Sequence, residues 1–168
     1  TVEYSADGST GWSSSAPALS QGSNTVYVRQ TDKAGNVSSN TSFTFTYDTS
    51  AAAPTVALTS DTGSSSTDKI TKTGTLSVTG TETGATVEYS ANGTSGWSTS
   101  APALSEGSNT VYVRQTDKAG NVSSNTSFTF TYDSTAPSAP TVALTSDTGS
   151  SSTDKITKTG TLSVTGTE

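Results

Sequence analysis

The sequence predicts an all-β chain of tandem sandwich repeats about 85 residues long, one complete and two partial. Three observations carry this. The stretch NTVYVRQTDKAGNVSSNTSFTFTYD occurs twice, letter for letter, at Asn24–Asp48 and Asn109–Asp133. Its apolar residues alternate with polar ones: Val111 and Val113 face one way and Tyr112 and Arg114 the other, while Phe128, Phe130 and Tyr132 share a face. That period of two belongs to half-buried strands. No stretch of the chain carries the period of a helix.

Taken in order, residues 1–48 begin with a strand holding Val2 and Tyr4, turn at Ala6-Asp7-Gly8, and end in the repeated hairpin. Residues 86–133 repeat this block with five changes: Asp7 becomes Asn92, Ser9 Thr94, Thr10 Ser95, Ser14 Thr99 and Gln21 Glu106. Trp12 and Trp97 hold the same place and are expected to face a small core rather than to form a ligand platform. The linker 49–53 leads into PTVALTSDTGSSSTDKITKTGTLSVTGTE, residues 54–82, which returns unchanged at 140–168 after a linker at 134–139. Linkers this short that contain Pro act as semi-rigid spacers. In the second block Val56 and Leu58 start one strand and Leu76 and Val78 another, with Ile70 expected to tuck the intervening loop into the core.

The expected domains are therefore the last five strands of a repeat at 1–48, a complete repeat at 54–133, and the first two strands of a third at 140–168. The complete repeat offers about seven strands: 55–60, 74–80, 86–90, one around Trp97, one near Ala103-Leu104, 110–116 and 125–132. Seven short alternating strands with turn signals between them read as an immunoglobulin-like β-sandwich. Its expected core is Val56, Leu58, Leu76, Val78, Val87, Tyr89, Trp97, Leu104, Val111, Val113, Phe128, Phe130 and Tyr132.

Composition narrows the function. Hydrophobic residues make up 29% of the chain, too few for a large core but enough for small sandwiches. A formal net charge of −6 disfavours nucleic acid and anionic membranes and suits a soluble surface or a cation binder. The chain has no Cys and no His, so it lacks disulfides, a thiol nucleophile and the commonest general base. With no His a Ser-His-Asp set is impossible, and no Gly-rich loop joins a strand to a helix to hold phosphate. An enzyme is not expected. No initiating Met, leader or membrane span is evident, so the chain reads as an interior piece of something longer.

In an immunoglobulin-like topology the loop with Asp61 and Asp68 lies at the pole where the chain leaves, beside Asp133. The Asp117–Asn121 loop and the turn with Glu82 lie at the pole where it enters. Stacked repeats would bring these carboxylates together with Gly and Ser carbonyls, an all-oxygen set suited to Ca²⁺. The alternative is that these acids only shape turns.

The run SDTGSSSTDKIT, followed by TVEYS and a Trp, NTVYVRQTDKAGN and YDSTAP, resembles the immunoglobulin-like repeats of giant bacterial surface adhesins and biofilm-associated proteins. The likeness covers the whole chain. It implies secreted, cell-surface proteins in which many near-identical sandwiches, stiffened by Ca²⁺ at their junctions, hold an adhesive domain away from the cell. Carried onto this sequence, the implied calcium candidates are Asp32, Asp48, Asp61, Asp68, Asp117, Asp133, Asp147 and Asp154. The longer 134–139 linker departs from its sister, so identical geometry at every junction is not implied.

Three roles follow as expectations. The first is a structural extender whose partners are the neighbouring repeats of its own chain. The second is a module that grips a glycan or peptide through Tyr112, Arg114 and the Trp97 region. The third is a filament subunit whose split end repeats complete one another head to tail between identical chains. Direct membrane insertion is not expected.

Overall fold

The structure, a computed structural model, describes residues 1–167. It is all-β, with eleven strands among the described residues: β1 (Val2–Ser5), β2 (Gly22–Gln30), β3 (Thr41–Tyr47), β4 (Thr55–Leu58), β5 (Ile70–Thr71), β6 (Leu76–Thr79), β7 (Thr86–Ser90), β8 (Gly107–Thr116), β9 (Thr126–Tyr132), β10 (Thr141–Leu144) and β11 (Leu162–Thr165). The strands group in sheets of order β1-β2-β3, β4-β6, β5-β9-β8-β7 and β10-β11. Two compact units are distinguishable.

One unit comprises Thr1–Thr59, Leu76–Ala103 and Thr110–Thr129. In it β2 lies antiparallel to β1, with Tyr4 opposite Val28, and to β3, with Val26 opposite Phe43. The β4–β6 ladder sets Val56 opposite Val78 and Leu58 opposite Leu76. The β7–β8 ladder sets Tyr89 opposite Val113 and Val87 opposite Gln115. Val56, Val111 and Val113 are buried here. Alternation along β8 puts Val111, Val113, Gln115 and Asp117 inward and leaves Tyr112, Arg114 and Thr116 half-buried.

The other unit comprises Ser60–Thr75, Leu104–Asn109 and Phe130–Glu168. Two residues of β5 run parallel to β9, Ile70 opposite Thr131 and Thr71 opposite Tyr132. Gly74 is buried at φ 56°, and a Cβ there would come within 2.2 Å of Leu104 Cδ1 and 3.3 Å of Tyr132 Cδ2. Only glycine fits that approach and that backbone angle. The β10–β11 hairpin repeats the β4–β6 register, with Val142 opposite Val164.

Four expectations need correction. Ile70 does not tuck inward; it is 47% exposed, and Thr71 takes the inward position at 1%. A threonine can sit there because its hydroxyl donates to Ser60 O at 3.0 Å, which removes most of the penalty for burying it. Trp97 is not a core residue but half-buried, with the Arg114 guanidinium 4.1 Å above its ring and Glu88 Oε2 3.0 Å from Arg114 Nε. Trp12, Arg29 and Glu3 repeat that stack. The strand foreseen around Trp97 is a single bridge, Tyr89 to Ser98, and the one near Ala103-Leu104 does not form. Of the thirteen expected core residues, Val56, Val111, Val113 and Phe130 are buried; the others are half-buried, as a thin sandwich with few large side chains allows.

Candidate metal centre

Asp48, Glu82 and Asp117 converge. Each offers a carboxylate oxygen, and the three oxygens lie within 4.8 Å of one another. Asp48 directly follows β3, Asp117 directly follows β8, and Glu82 stands in the turn between β6 and β7. All three belong to the first unit.

The Asp117 loop is organised by its own carboxylate. Asn121 donates its backbone N–H to Asp117 Oδ1 and its side-chain amide to Oδ2, both at 2.8 Å. Gly120, at φ 91°, closes the turn by donating its N–H to Asp117 O at 3.3 Å. The Asn121 amide, helped by backbone N–H groups, holds the Asp117 carboxyl below the usual carboxylate range against the opposing effect of burial. Asp117 is therefore an anion at any physiological pH, although it is only 8% exposed.

The linker is bound into the same place. Ala52 donates its N–H to Glu82 Oε1 at 3.0 Å. Gln115, fully buried, donates from Nε2 to Ala52 O at 2.7 Å and accepts the Glu82 N–H at 2.9 Å. Asn121 Nδ2 also donates to Asp48 O at 3.1 Å, and Thr126 Oγ1 donates to Pro54 O at 2.5 Å. Asp48 Oδ1 accepts Gln21 Nε2 at 2.5 Å and the Ser50 N–H at 3.2 Å. A linker of small residues is thus fixed by side chains on both sides of it.

The donor set is chemically coherent. Two oxygens across a Ca²⁺ ion lie about 4.6–5.2 Å apart at Ca–O distances of about 2.3–2.6 Å, and the three carboxylates fall within that span. They line a cleft of about 430 Å³ with Thr46, Thr83, Lys118 and Ala119. Lys118 packs over Gly84, where a Cβ would meet its Cε at 2.2 Å. One ammonium beside three carboxylates leaves an excess of negative charge.

Of the eight acids named from the sequence, the structure brings Asp48 and Asp117 together. Asp32 shapes its own exposed loop, accepting the Asn36 amide at 2.9 Å and the backbone N–H groups of Ala34 and Asn36 at 2.8 Å. Asp61 accepts the Lys69 N–H at 2.9 Å and Asp68 that of Ile70 at 3.0 Å; Asp147 and Asp154 repeat both bonds with Lys155 and Ile156. Asp133 accepts the Thr135 N–H at 3.1 Å. Among the described residues Asp61, Asp68 and Asp133 do not form a second trio of acids like that of Asp48, Glu82 and Asp117. Glu82 was outside the named set, though the Thr81-Glu82-Thr83-Gly84 turn already placed it beside the Asp117 loop.

The family model described as bacterial Ig-like domain matches residues 1–49 and again residues 50–134. No curated protein matches the chain.

Proposed function

The chain belongs to the bacterial Ig-like domain family, and from that premise we propose that it is a structural extender in a bacterial adhesin or biofilm protein. Domains of this family occur in surface proteins and are typically non-catalytic structural modules. In this reading the domains are the repeats at 1–48, 54–133 and 140–168, the chain is secreted, and Ca²⁺ stiffens the junction.

One observation supports it above the rest: the linker between the first two repeats is clasped by Gln115, Glu82, Asn121 and Thr126 beside three convergent carboxylates. Without a cation the carboxylates repel across a few ångströms. A bound Ca²⁺ would turn that repulsion into attraction and tie Asp48, at the end of one repeat, to Glu82 and Asp117 of the next. The glycan- or peptide-binding reading is weaker, because the Arg114 guanidinium already covers a face of Trp97.

The test is small-angle scattering of several whole repeats, in millimolar Ca²⁺ and again in chelator. Chelation is expected to shorten the maximum dimension, and Asp48→Asn with Glu82→Gln to reproduce that in Ca²⁺. Asp7→Asn, in a turn outside the cluster where the sister repeat already carries Asn92, should change nothing. Unchanged dimensions under chelation, with no heat of Ca²⁺ binding, would leave these carboxylates as turn residues.

A further inference from the structure

Of the five changes between residues 1–48 and 86–133, one alters the chemistry of a turn: Asp7 becomes Asn92. Both residues organise that turn in the same way. Asp7 Oδ1 accepts the Ser9 and Thr10 N–H groups at 2.8 and 2.7 Å, and Asn92 Oδ1 accepts those of Thr94 and Ser95, both at 2.9 Å. The second side-chain atom faces a hydroxyl in each copy, with the direction of donation reversed. Thr10 Oγ1 donates to Asp7 Oδ2 at 2.6 Å, whereas Asn92 Nδ2 donates to Ser95 Oγ at 3.0 Å. A hydroxyl does either, so an oxygen in place of Asn92 Nδ2 would ask only that Ser95 turn its proton.

Asn92 is followed by Gly93, whereas each of the other six asparagines is followed by Thr or Val. A β-branched neighbour crowds its own backbone nitrogen; glycine leaves that nitrogen open to approach. The turn also requires the glycine. Gly93 lies at φ 73°, and a Cβ there would come within 2.6 Å of Tyr112 Cδ1. Asn92 is exposed to water, and the Gly93 N–H donates to a side chain, Ser90 Oγ at 3.1 Å, rather than into a strand ladder. The Thr94 and Ser95 N–H groups on Oδ1 stand where negative charge would build if a nucleophile added to Asn92 Cγ.

We propose that Asn92 is a deamidation site, where spontaneous hydrolysis replaces the amide by the carboxylate that Asp7 already carries in the sister turn. The Gly93 nitrogen gives up its proton to a solvent base, and its electron pair forms a bond to Asn92 Cγ. The Cγ–Nδ2 bond then breaks, and the nitrogen takes a proton and leaves as ammonia. Water opens the cyclic imide that remains; nothing is oxidised or reduced. Cleavage of the new Cγ–N bond restores the main chain and gives aspartate. Cleavage at the main-chain carbonyl gives isoaspartate, which lengthens the chain by a carbon. That longer chain would displace Gly93, whose carbonyl accepts the Asn125 amide at 2.8 Å, so aspartate is the form the folded turn holds. The site does not depend on calcium and stands or falls apart from the stiffened junction.

Incubation of the chain in warm, mildly alkaline buffer made with heavy-oxygen water, followed by peptide mass spectrometry, gives the test. Conversion to the labelled acid at residue 92 should run at least several-fold ahead of that at any other asparagine. Asn92→Asp supplies the product directly. Its melting temperature should match that of the unaltered chain, and its Thr94 and Ser95 amide shifts should move in strong acid as those of Ser9 and Thr10 do. Conversion at Asn92 no faster than at the other asparagines would overturn the proposal. So would an Asn92→Asp chain in which the Thr94 and Ser95 amides lose their protection from exchange.

Discussion

Gln115 and Gln30 are the same letter in the same 25-residue stretch, yet one is fully buried and the other exposed. No reading of the stretch alone distinguishes them, because the difference lies in what surrounds each copy. Gln115 meets the linker and the β6–β7 turn; Gln30 has neither. Gln115→Ala should therefore cost about 1–3 kcal/mol, the penalty for stranding buried partners, while Gln30→Ala should stay within about 0.5 kcal/mol. Urea unfolding of the two variants measures both, and equal effects would mean that the clasp adds nothing. Asp7 makes a second comparison. Its carboxylate accepts from Thr10 Oγ1, from the N–H groups of Thr10 and Ser9 and from Ser5 Oγ, which hold its pKa far below the usual range. A folded pKa below the unfolded value near 3.9 contributes stability above that value, and the contribution is lost as pH falls through the folded pKa. Asn92 stands in the matching turn and accepts the Thr94 and Ser95 N–H groups without a charge to titrate. Amide shifts at Ser9 and Thr10 should then move in strong acid, while those at Thr94 and Ser95 should not.

At the scale of elements, the long strands were legible because alternation of apolar and polar residues survives in β2, β3, β8 and β9. The two-residue β5 was not. It sits in a Ser, Thr and Gly run where the inward residue is Thr71, and a hydroxyl bonded to Ser60 O leaves no apolar signal. Two of the three residues of the candidate centre were legible for a related reason. Asp48 and Asp117 bracket strands that the pattern finds, whereas the position of Glu82 depends on a turn fixed by glycines at φ 72° and 80°. Trp97 misled because an aromatic in a small sandwich is usually core, and only the fold shows Arg114 covering it. The linkers differ in a way the sequence did display. Gln21 donates to Asp48 and accepts the Thr49 N–H, whereas Glu106 accepts from Ser134 N and Oγ and has no proton to offer Asp133. Gln21→Glu should place a fourth negative charge against Asp48 and lower the melting temperature in chelator more than in Ca²⁺. An equal loss in both would indicate that charge repulsion does not govern this junction.

For the whole molecule, the repeats make one sequence report on several environments at once. Val111 and Val113 are 1% and 0% exposed, while Val26 and Val28, in the same stretch, are half-buried. Local propensity is identical, so any difference in protection measures tertiary cover alone. Amide exchange of the dilute chain should be slowest along β8 and β9 and clearly faster along β2 and β3. It should be fastest along β10 and β11, whose valines and Leu162 are over half exposed. Calcium at the Asp48–Glu82–Asp117 centre would act elsewhere. With a Kd of about 10⁻⁴–10⁻³ M, usual for extracellular modules, a ten-fold excess stabilises by only about 1.4 kcal/mol. Its protection should centre on the linker and the Asp117 loop and be independent of protein concentration. Protection that appeared on adding Ca²⁺ along β10 and β11 rather than at the linker and the Asp117 loop would contradict a centre at Asp48, Glu82 and Asp117.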